Sequence, residues 1–148
     1  SLPSRGLGDV YKRQLLGFAF KANTNDTRES PAIEISKNLL ENGAHLSISD
    51  PKVTNKQIEN ELSLKELEED PSSKGKWNFD KDIYKAAKNA DAIIIVTEWK
   101  EYENLNWKEI SSLMRKPAWV FDTRKILSQK NLKKLGINYW QVGSSNNQ

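Results

Sequence analysis

The stretch "AIIIV" at residues 92–96 decides the fold, because it is a continuous run of apolar and mostly β-branched side chains. An alternating pattern would indicate a strand with one face in water, whereas a continuous run is typical of a central strand that is covered on both faces. Strands of this kind occur in parallel sheets that have helices on both sides. The stretch therefore predicts an α/β domain.

Outward from this strand, apolar strands alternate with helices that begin at a capping residue. Ser, Asp and Asn are preferred N-caps, and Pro is preferred at the first helical position. Strands are predicted at 15–20, 44–50, 91–99, 118–122 and 137–142, and helices are predicted to begin at Ser30-Pro31, Asp80, Asn106 and Ser128. The alternation predicts a Rossmann-like three-layer domain with a mostly parallel sheet of about five or six strands. Counting "LLGFAF" (15–20) as strand 1 and "AIIIV" as strand 3, the expected strand order is 2-1-3-4-5.

Three segments are set apart from this pattern. Residues 1–14, "SLPSRGLGDVYKRQ", lack periodicity and end like a translated sequencing adapter, so we interpret them as a non-native segment joined to a domain at 15–143. Residues 52–78 are charged and weakly periodic, and we predict a variable insertion with one or two short helices and a flexible tip. Residues 144–148 are predicted to be a disordered polar tail.

Composition excludes several function classes. The 148 residues contain no cysteine and one histidine, His45, which argues against disulfides, thiolate chemistry and a zinc site. Residues 1–14 carry a net charge of +2, which leaves +1 of the chain's +3 and no basic footprint for nucleic acid. No apolar run approaches the roughly 20 residues of a membrane span, and no signal peptide is evident, so we expect a cytoplasmic protein.

A ligand site is expected where the strand order reverses, between strands 1 and 3. Polar segments at 21–30, 97–102 and 122–125 meet at that edge, and the helix at Pro31 adds its positive end. Four cations there suit an anion such as a diphosphate: Lys21, Arg28, Arg124 and Lys125.

Each of these residues also has an ordinary interpretation. Lys21 and Arg28 are read equally well as solvated loop charges, and Asp26 as a turn residue that pairs with Arg28. Asp122 and Arg124 are compatible with a structural ion pair, and Glu98 with the closing of a strand end. Only the coincidence of three polar loops at one edge favours a site.

The sequence argues against a complete dinucleotide site. Gly17 is the only glycine near the first predicted β-α turn, so the G-x-G-x-x-G fingerprint is absent. Asp50 ends the second predicted strand, where a ribose-binding acid sits in such folds. It lies 33 residues after Gly17, farther than usual, and Pro51 indicates a turn role.

Three ordered motifs then carry a family resemblance. "GFAFKANTNDTRESPAIEI" (17–35), "VTEWKEY" (96–102) and "KPAWVFDTRK" (116–125) resemble the C-terminal domain of the UDP-glucose 6-dehydrogenase family. The resemblance covers about residues 15–143. It implies a UDP-sugar-binding domain of an enzyme that oxidises UDP-glucose to UDP-glucuronate in two NAD-dependent steps through a Cys thioester.

The resemblance also implies roles for single residues. Phe20 and Lys21 match the pair that contacts the UDP-sugar, and Arg124 matches an arginine at the substrate. Arg28 matches an arginine that reaches NAD, which is held mainly by an N-terminal domain. Lys125 stands where the family has Asn. No catalytic or metal-binding residue is assigned to this chain.

The implied partners are UDP-glucose, NAD, and the N-terminal and central domains of a homo-oligomeric enzyme. Because the chain has no cysteine, we expect it to be inactive alone. Two alternatives stay open. One is the same domain of a sister enzyme that acts on GDP-mannose or a UDP-N-acetyl sugar. The other is a non-catalytic, flavodoxin-like nucleotide-binding module.

Overall fold

Six parallel strands form the sheet of the computed structural model, which describes residues 10–143. The strands are β1 (Lys12–Leu16), β2 (His45–Ser49), β3 (Lys76–Phe79), β4 (Ala92–Ile95), β5 (Trp119–Asp122) and β6 (Asn138–Gln141). The helices are α1 (Pro31–Glu41), α2 (Asn55–Leu62), α3 (Ile83–Ala87), α4 (Trp107–Leu113) and α5 (Gln129–Lys134), with a 3₁₀ turn at Lys100–Tyr102. The predicted α/β class is confirmed.

The strand order is β3-β2-β1-β4-β5-β6. Leaving out β3, it is the predicted order 2-1-3-4-5, with β1 and β4 as the central pair. The chain moves from β1 to β2 in one direction and from β4 to β5 in the other. Right-handed crossovers therefore put α1 and α4 on opposite faces of the sheet. The switch point lies between β1 and β4, as expected.

The first strand begins earlier than predicted. The expectation that residues 12–14 stand apart from the fold is wrong, because Lys12 pairs with His45 and Gln14 with Ser47 in register. Ladder hydrogen bonds to two neighbouring strands hold this segment despite its polarity. Two polar atoms are buried there without a hydrogen-bond partner, Arg13 Nη1 and Gln14 Oε1. The non-native origin of residues 1–14 stays a prediction, and residues 1–9 and the predicted tail at 144–148 lie outside the described residues.

Residues 52–78 contain more regular structure than predicted. They hold α2 and most of β3, an edge strand that the pattern did not indicate. Trp77 anchors this strand: it is 1% exposed, and its indole N–H donates to the carbonyl of Leu64 at 2.8 Å. Backbone pairing with β2 and one buried aromatic side chain, rather than apolar periodicity, hold this strand in place.

The predicted helix caps are confirmed at three of four positions. Ser30, Asn106 and Ser128 cap α1, α4 and α5. The fourth is Asp82 rather than Asp80, because the N–H of Asp80 still bonds to Ile48 O beyond the end of β3, so the chain turns into α3 later. Within residues 10–143, no helix has the length and apolar character to cross a membrane.

Candidate functional site

The loops that follow β1, β4 and β5 meet at the carboxyl edge of the sheet, and Glu98 joins them. Its Oε1 accepts the N–H of Ala22 at 2.9 Å, and its Oε2 accepts Nη2 of Arg124 at 2.5 Å. Glu98 follows β4, the middle strand of the three. The predicted meeting of the three polar segments is thus found, with a carboxylate at its centre.

The charge of Glu98 is stabilised by its partners. Burial raises the pKa of this carboxyl, but hydrogen bonds from its own N–H, from Arg124 and from Ala22 outweigh that effect, so its pKa is lowered. The side chains of Glu98 and Arg124 are each 33% exposed. The pair is therefore formed at the rim, within reach of a ligand.

Phe20 and Lys21 lie on the loop after β1, directly before Ala22. The ring of Phe20 is 44% exposed, which is unusual for a large apolar side chain, and Lys21 is also exposed. The N–H of Phe20 donates to Asp26 O at 2.8 Å, so the backbone of the loop is folded back on itself. Both side chains are thus presented to solvent by a hydrogen-bonded loop.

Arg124 is held by the acid that ends β5. Its N–H donates to Asp122 Oδ1 at 3.0 Å, while its guanidinium turns to Glu98. A guanidinium carries five N–H donors. Within residues 10–143, Glu98 is the one side chain to which this guanidinium donates, so its other donors are available to a phosphate.

Arg28 forms an exposed ion pair with an acid of its own loop. Its Nε and Nη2 donate to the two carboxylate oxygens of Asp26 at 3.0 and 2.9 Å. Hydrogen bonds from Arg28 lower the pKa of Asp26 to about 2. The Arg28 side chain is 86% exposed and pairs within its own loop, as the ordinary interpretation holds.

The rim is less positive than the sequence suggests. Two of its four cations, Arg28 and Arg124, face acids of the same rim. The first turn of α1 is also occupied, because Ser30 Oγ accepts the N–H of Ala32. Lys125 is exposed with φ of 59°, a left-handed conformation that Asn, the residue expected from the resemblance, adopts more readily.

Asp50 is a structural acid of the site. It is 6% exposed. Five donors reach its two oxygens: the backbone N–H groups of Phe18, Ala19, Lys52 and Val53, and the indole N–H of Trp99. A carboxylate saturated in this way ties the loops after β1, β2 and β4 together and has no acceptor left for a ribose hydroxyl.

Sequence reasoning missed the central position of Glu98. It also did not single out Thr97, whose hydroxyl donates to Ala19 O at 2.8 Å beneath the loop after β1. The available signal was the run Thr97-Glu98-Trp99, three polar or amphipathic residues directly after a wholly apolar strand. Among residues 10–143, no group of His, Asp or Glu side chains is arranged to hold a metal ion.

Comparisons with known proteins identify the family of this chain. Residues 14–129 match the UDP binding domain of the UDP-glucose/GDP-mannose dehydrogenase family. UDP-glucose 6-dehydrogenase 2 of Arabidopsis thaliana is 42% identical over 141 residues, which cover 89% of this chain and 29% of that protein. UDP-glucose 6-dehydrogenase of Drosophila melanogaster is 43% identical over 130 residues, which cover 87% of this chain and 27% of that protein.

Solved structures of related dehydrogenases have a similar fold. A UDP-glucose dehydrogenase from Pyrobaculum islandicum matches with a TM-score of 0.62 at 25% identity, over 89% of this chain and 25% of that one. An NDP-N-acetyl-D-galactosaminuronic acid dehydrogenase from Methanosarcina mazei Go1 has a TM-score of 0.71 at 22% identity, over 94% of this chain and 26% of that one. The latter likeness shows the fold alone. The chain spans 29% of the length of the Arabidopsis relative.

Proposed function

The chain belongs to the UDP-glucose/GDP-mannose dehydrogenase family, and on this premise we propose that it is the UDP-sugar-binding domain of an NAD-dependent UDP-glucose 6-dehydrogenase. The observation that carries the proposal is the junction at the carboxyl edge. There the loop with Phe20 and Lys21 and the loop with Arg124 meet through one carboxylate. Ligands of open α/β sheets bind at this kind of edge.

Each of the three residues has a role that its chemistry suits. The free edge of the Arg124 guanidinium would donate to a phosphate oxygen of the UDP, since planar N–H pairs match phosphate geometry. Lys21 would supply a second positive charge to the diphosphate. The exposed ring of Phe20 offers apolar surface to the base or the sugar. Together they would hold the sugar so that its C6 alcohol faces the cofactor.

NAD is the proposed cofactor of the full-length enzyme, but the residues of this chain do not fit a complete NAD site. A Cβ at Gly17 would lie 2.4 Å from Thr97 Cβ, so this glycine serves close packing between β1 and the loop after β4. Asp50 is saturated by protein donors. We therefore assign no reaction step to NAD here. Arg28, exposed on the loop, is proposed to reach a cofactor held by other domains of the enzyme.

The remaining proposals follow from the family. The full-length protein would be cytoplasmic and homo-oligomeric, and it would oxidise UDP-glucose to UDP-glucuronate. The 148 residues contain no cysteine for a thioester step, so the chain alone is expected to bind substrate without turnover. Detectable reduction of NAD with UDP-glucose by the purified chain would contradict this.

The proposal is tested by nucleotide titration followed by NMR chemical shifts, which detect millimolar binding. UDP and UDP-glucose are expected to bind, with GDP-mannose weaker. Lys21→Ala and Arg124→Ala should each weaken UDP binding by about tenfold or more, because each removes a charged contact to phosphate. Lys108→Ala, an exposed lysine on α4, is the control and should leave binding unchanged.

A chain that binds none of these nucleotides would overturn the proposed function. Preference for GDP-mannose over UDP-glucose would instead favour the sister enzyme. A preference for a UDP-N-acetyl sugar over UDP-glucose would favour the other sister activity. Titrations with UDP-glucose, GDP-mannose and a UDP-N-acetyl sugar therefore separate the proposal from the sister activities.

A further inference from the structure

Glu98 is an acid at the centre of a site proposed to bind an anion. The charge of Glu98 is unfavourable for such binding, because a negative charge beside a phosphate repels it. Its two oxygens, however, hold the two loops that carry the proposed ligand contacts. The N–H of Ala22 follows Lys21 directly, and Arg124 is the other cation. The structure thus gives Glu98 a second role that opposes its charge effect.

We propose that Glu98 is a positioning residue, which orders the Lys21 loop and the Arg124 guanidinium together for a nucleoside diphosphate. The proposal rests on the proposed function and adds how its site is assembled. One oxygen fixes the backbone at Ala22, and the other fixes one edge of the guanidinium while leaving its remaining donors exposed. Without this bridge, each loop would have to be ordered when the ligand binds, which costs affinity.

The backbone supports the same role. Thr123 N–H and hydroxyl both donate to Ile95 O, at 3.2 and 2.7 Å, so the loop after β5 is held against the end of β4. Thr97 holds Ala19 on the other side of β4. Glu98 therefore projects from a segment that is already fixed, and its two oxygens extend that order to the backbone at Ala22 and to the guanidinium of Arg124.

The bridge requires two acceptors and the full length of the glutamate side chain. In Glu98→Gln, one oxygen becomes an NH₂ donor, which faces either Ala22 N–H or Arg124, so one bond is lost. In Glu98→Asp, the charge remains, but the carboxylate is one methylene closer to the backbone and cannot span both partners. The two variants separate loss of charge from loss of the bridge.

Binding of UDP to these variants tests the inference, because the two roles of Glu98 predict opposite signs. If Glu98 positions the site, both Glu98→Gln and Glu98→Asp weaken UDP binding, by about tenfold for the lost charge-assisted bond. If it is only a nearby charge, Glu98→Gln tightens binding and Glu98→Asp leaves it unchanged. Glu103→Gln is the matched control, since it removes an exposed acid five residues along without a bond to either loop.

Two further readouts exclude a general structural effect. In an Arg124→Ala background, Glu98→Gln should change UDP affinity by less than about twofold, because the partner of one bond is already absent and the remaining side-chain oxygen can still accept the N–H of Ala22. Without ligand, the amide proton of Ala22 should shift in Glu98→Ala but not in Glu103→Gln. Additive losses in the double variant, or an unchanged Ala22 amide, would overturn the inference.

The proposed function and the inference about Glu98 can be overturned separately. If the unchanged chain binds no UDP, the proposed function falls and the inference falls with it. If the chain binds UDP and Glu98→Gln behaves like Glu103→Gln, only the inference is overturned.

Discussion

Two buried carboxylates, Asp50 and Asp122, fix the backbone of the loops at the carboxyl edge by accepting hydrogen bonds. Asp50 accepts five hydrogen bonds at the end of β2. Asp122 is 0% exposed and ends β5. It accepts the N–H groups of Arg124, Ile126 and Leu127 and the hydroxyl of Tyr139. Both acids satisfy loop N–H groups that would otherwise be buried without partners. Because these buried acids hold the backbone of the loops, the side chains of Lys21 and Arg124 remain at the surface, where they can contact a ligand.

Asp50→Asn should lower the free energy of unfolding by about 3 kcal/mol, because the new NH₂ group faces N–H donors that then lose their acceptor. Urea unfolding measures the change. Asp26→Asn is the control, since Asp26 pairs with the exposed Arg28, and its effect should be much smaller. Equal effects of the two substitutions would mean that the buried network at Asp50 does not stabilise the fold.

At the scale of elements, the entry into α1 fixes where the loop after β1 ends. Ser30 is 4% exposed, and its hydroxyl accepts the N–H of Ala32 at 3.2 Å. The same hydroxyl donates to Phe18 O at 2.7 Å, which ties the start of the helix to the start of the loop. Ser30 is thus both a helix cap and a closure of the loop that carries Lys21.

Ser30→Ala is therefore expected to destabilise the fold by about 2 kcal/mol, the sum of a lost cap and an unsatisfied buried carbonyl. Ser128→Ala removes an exposed cap from α5, where Ser128 Oγ accepts Asn131 N–H, and should cost about 1 kcal/mol. The difference between the two in chemical denaturation measures the bond to Phe18. If the two losses are the same, that bond contributes nothing.

For the whole molecule, positive charge collects at the end of the sheet opposite to the proposed site. A cavity of about 600 Å³ there is lined by Lys12, His45, Lys76, Lys85, Lys88 and Arg115, with one acid, Asp80. Burial lowers the pKa of His45, and Lys76 lowers it further, while Glu69 acts in the opposite direction. Protonating this histidine therefore costs more in the folded chain than in the unfolded one.

Stability should decrease as the pH falls below the ordinary His pKa of 6.5, because the unfolded chain then binds a proton that the folded chain resists. The loss should level off below the lowered folded pKa. His45→Gln should remove this dependence between about pH 5 and 7, since the chain has no other histidine. Thermal or urea unfolding across that range is the measurement, and a slope that persists in His45→Gln would assign it to other groups.

The sequence predicted the elements whose signals are local. Alternation indicated β2, apolar segments indicated β4, β5 and β6, and capping residues placed the starts of α1, α4 and α5. The rule that crossovers between parallel strands are right-handed then predicted the order of five strands. The pattern placed the first strand at 15–20, whereas β1 begins earlier and includes the polar Arg13 and Gln14, and it did not indicate β3, which contains the buried Trp77. In both cases pairing with neighbouring strands, which no local pattern shows, outweighed side-chain polarity.

Sequence by itself determined that this chain is an α/β domain with polar loops at one edge, and which residues of those loops match the family's motifs. Tertiary structure alone decided how those residues are joined. Asp50, Glu98 and Asp122 each look like an ordinary strand-end acid in the sequence. Their roles depend on partners that lie 26 and 76 residues away from Glu98 and up to 49 residues away from Asp50. Such partners become neighbours only when parallel strands bring their carboxyl ends to one edge.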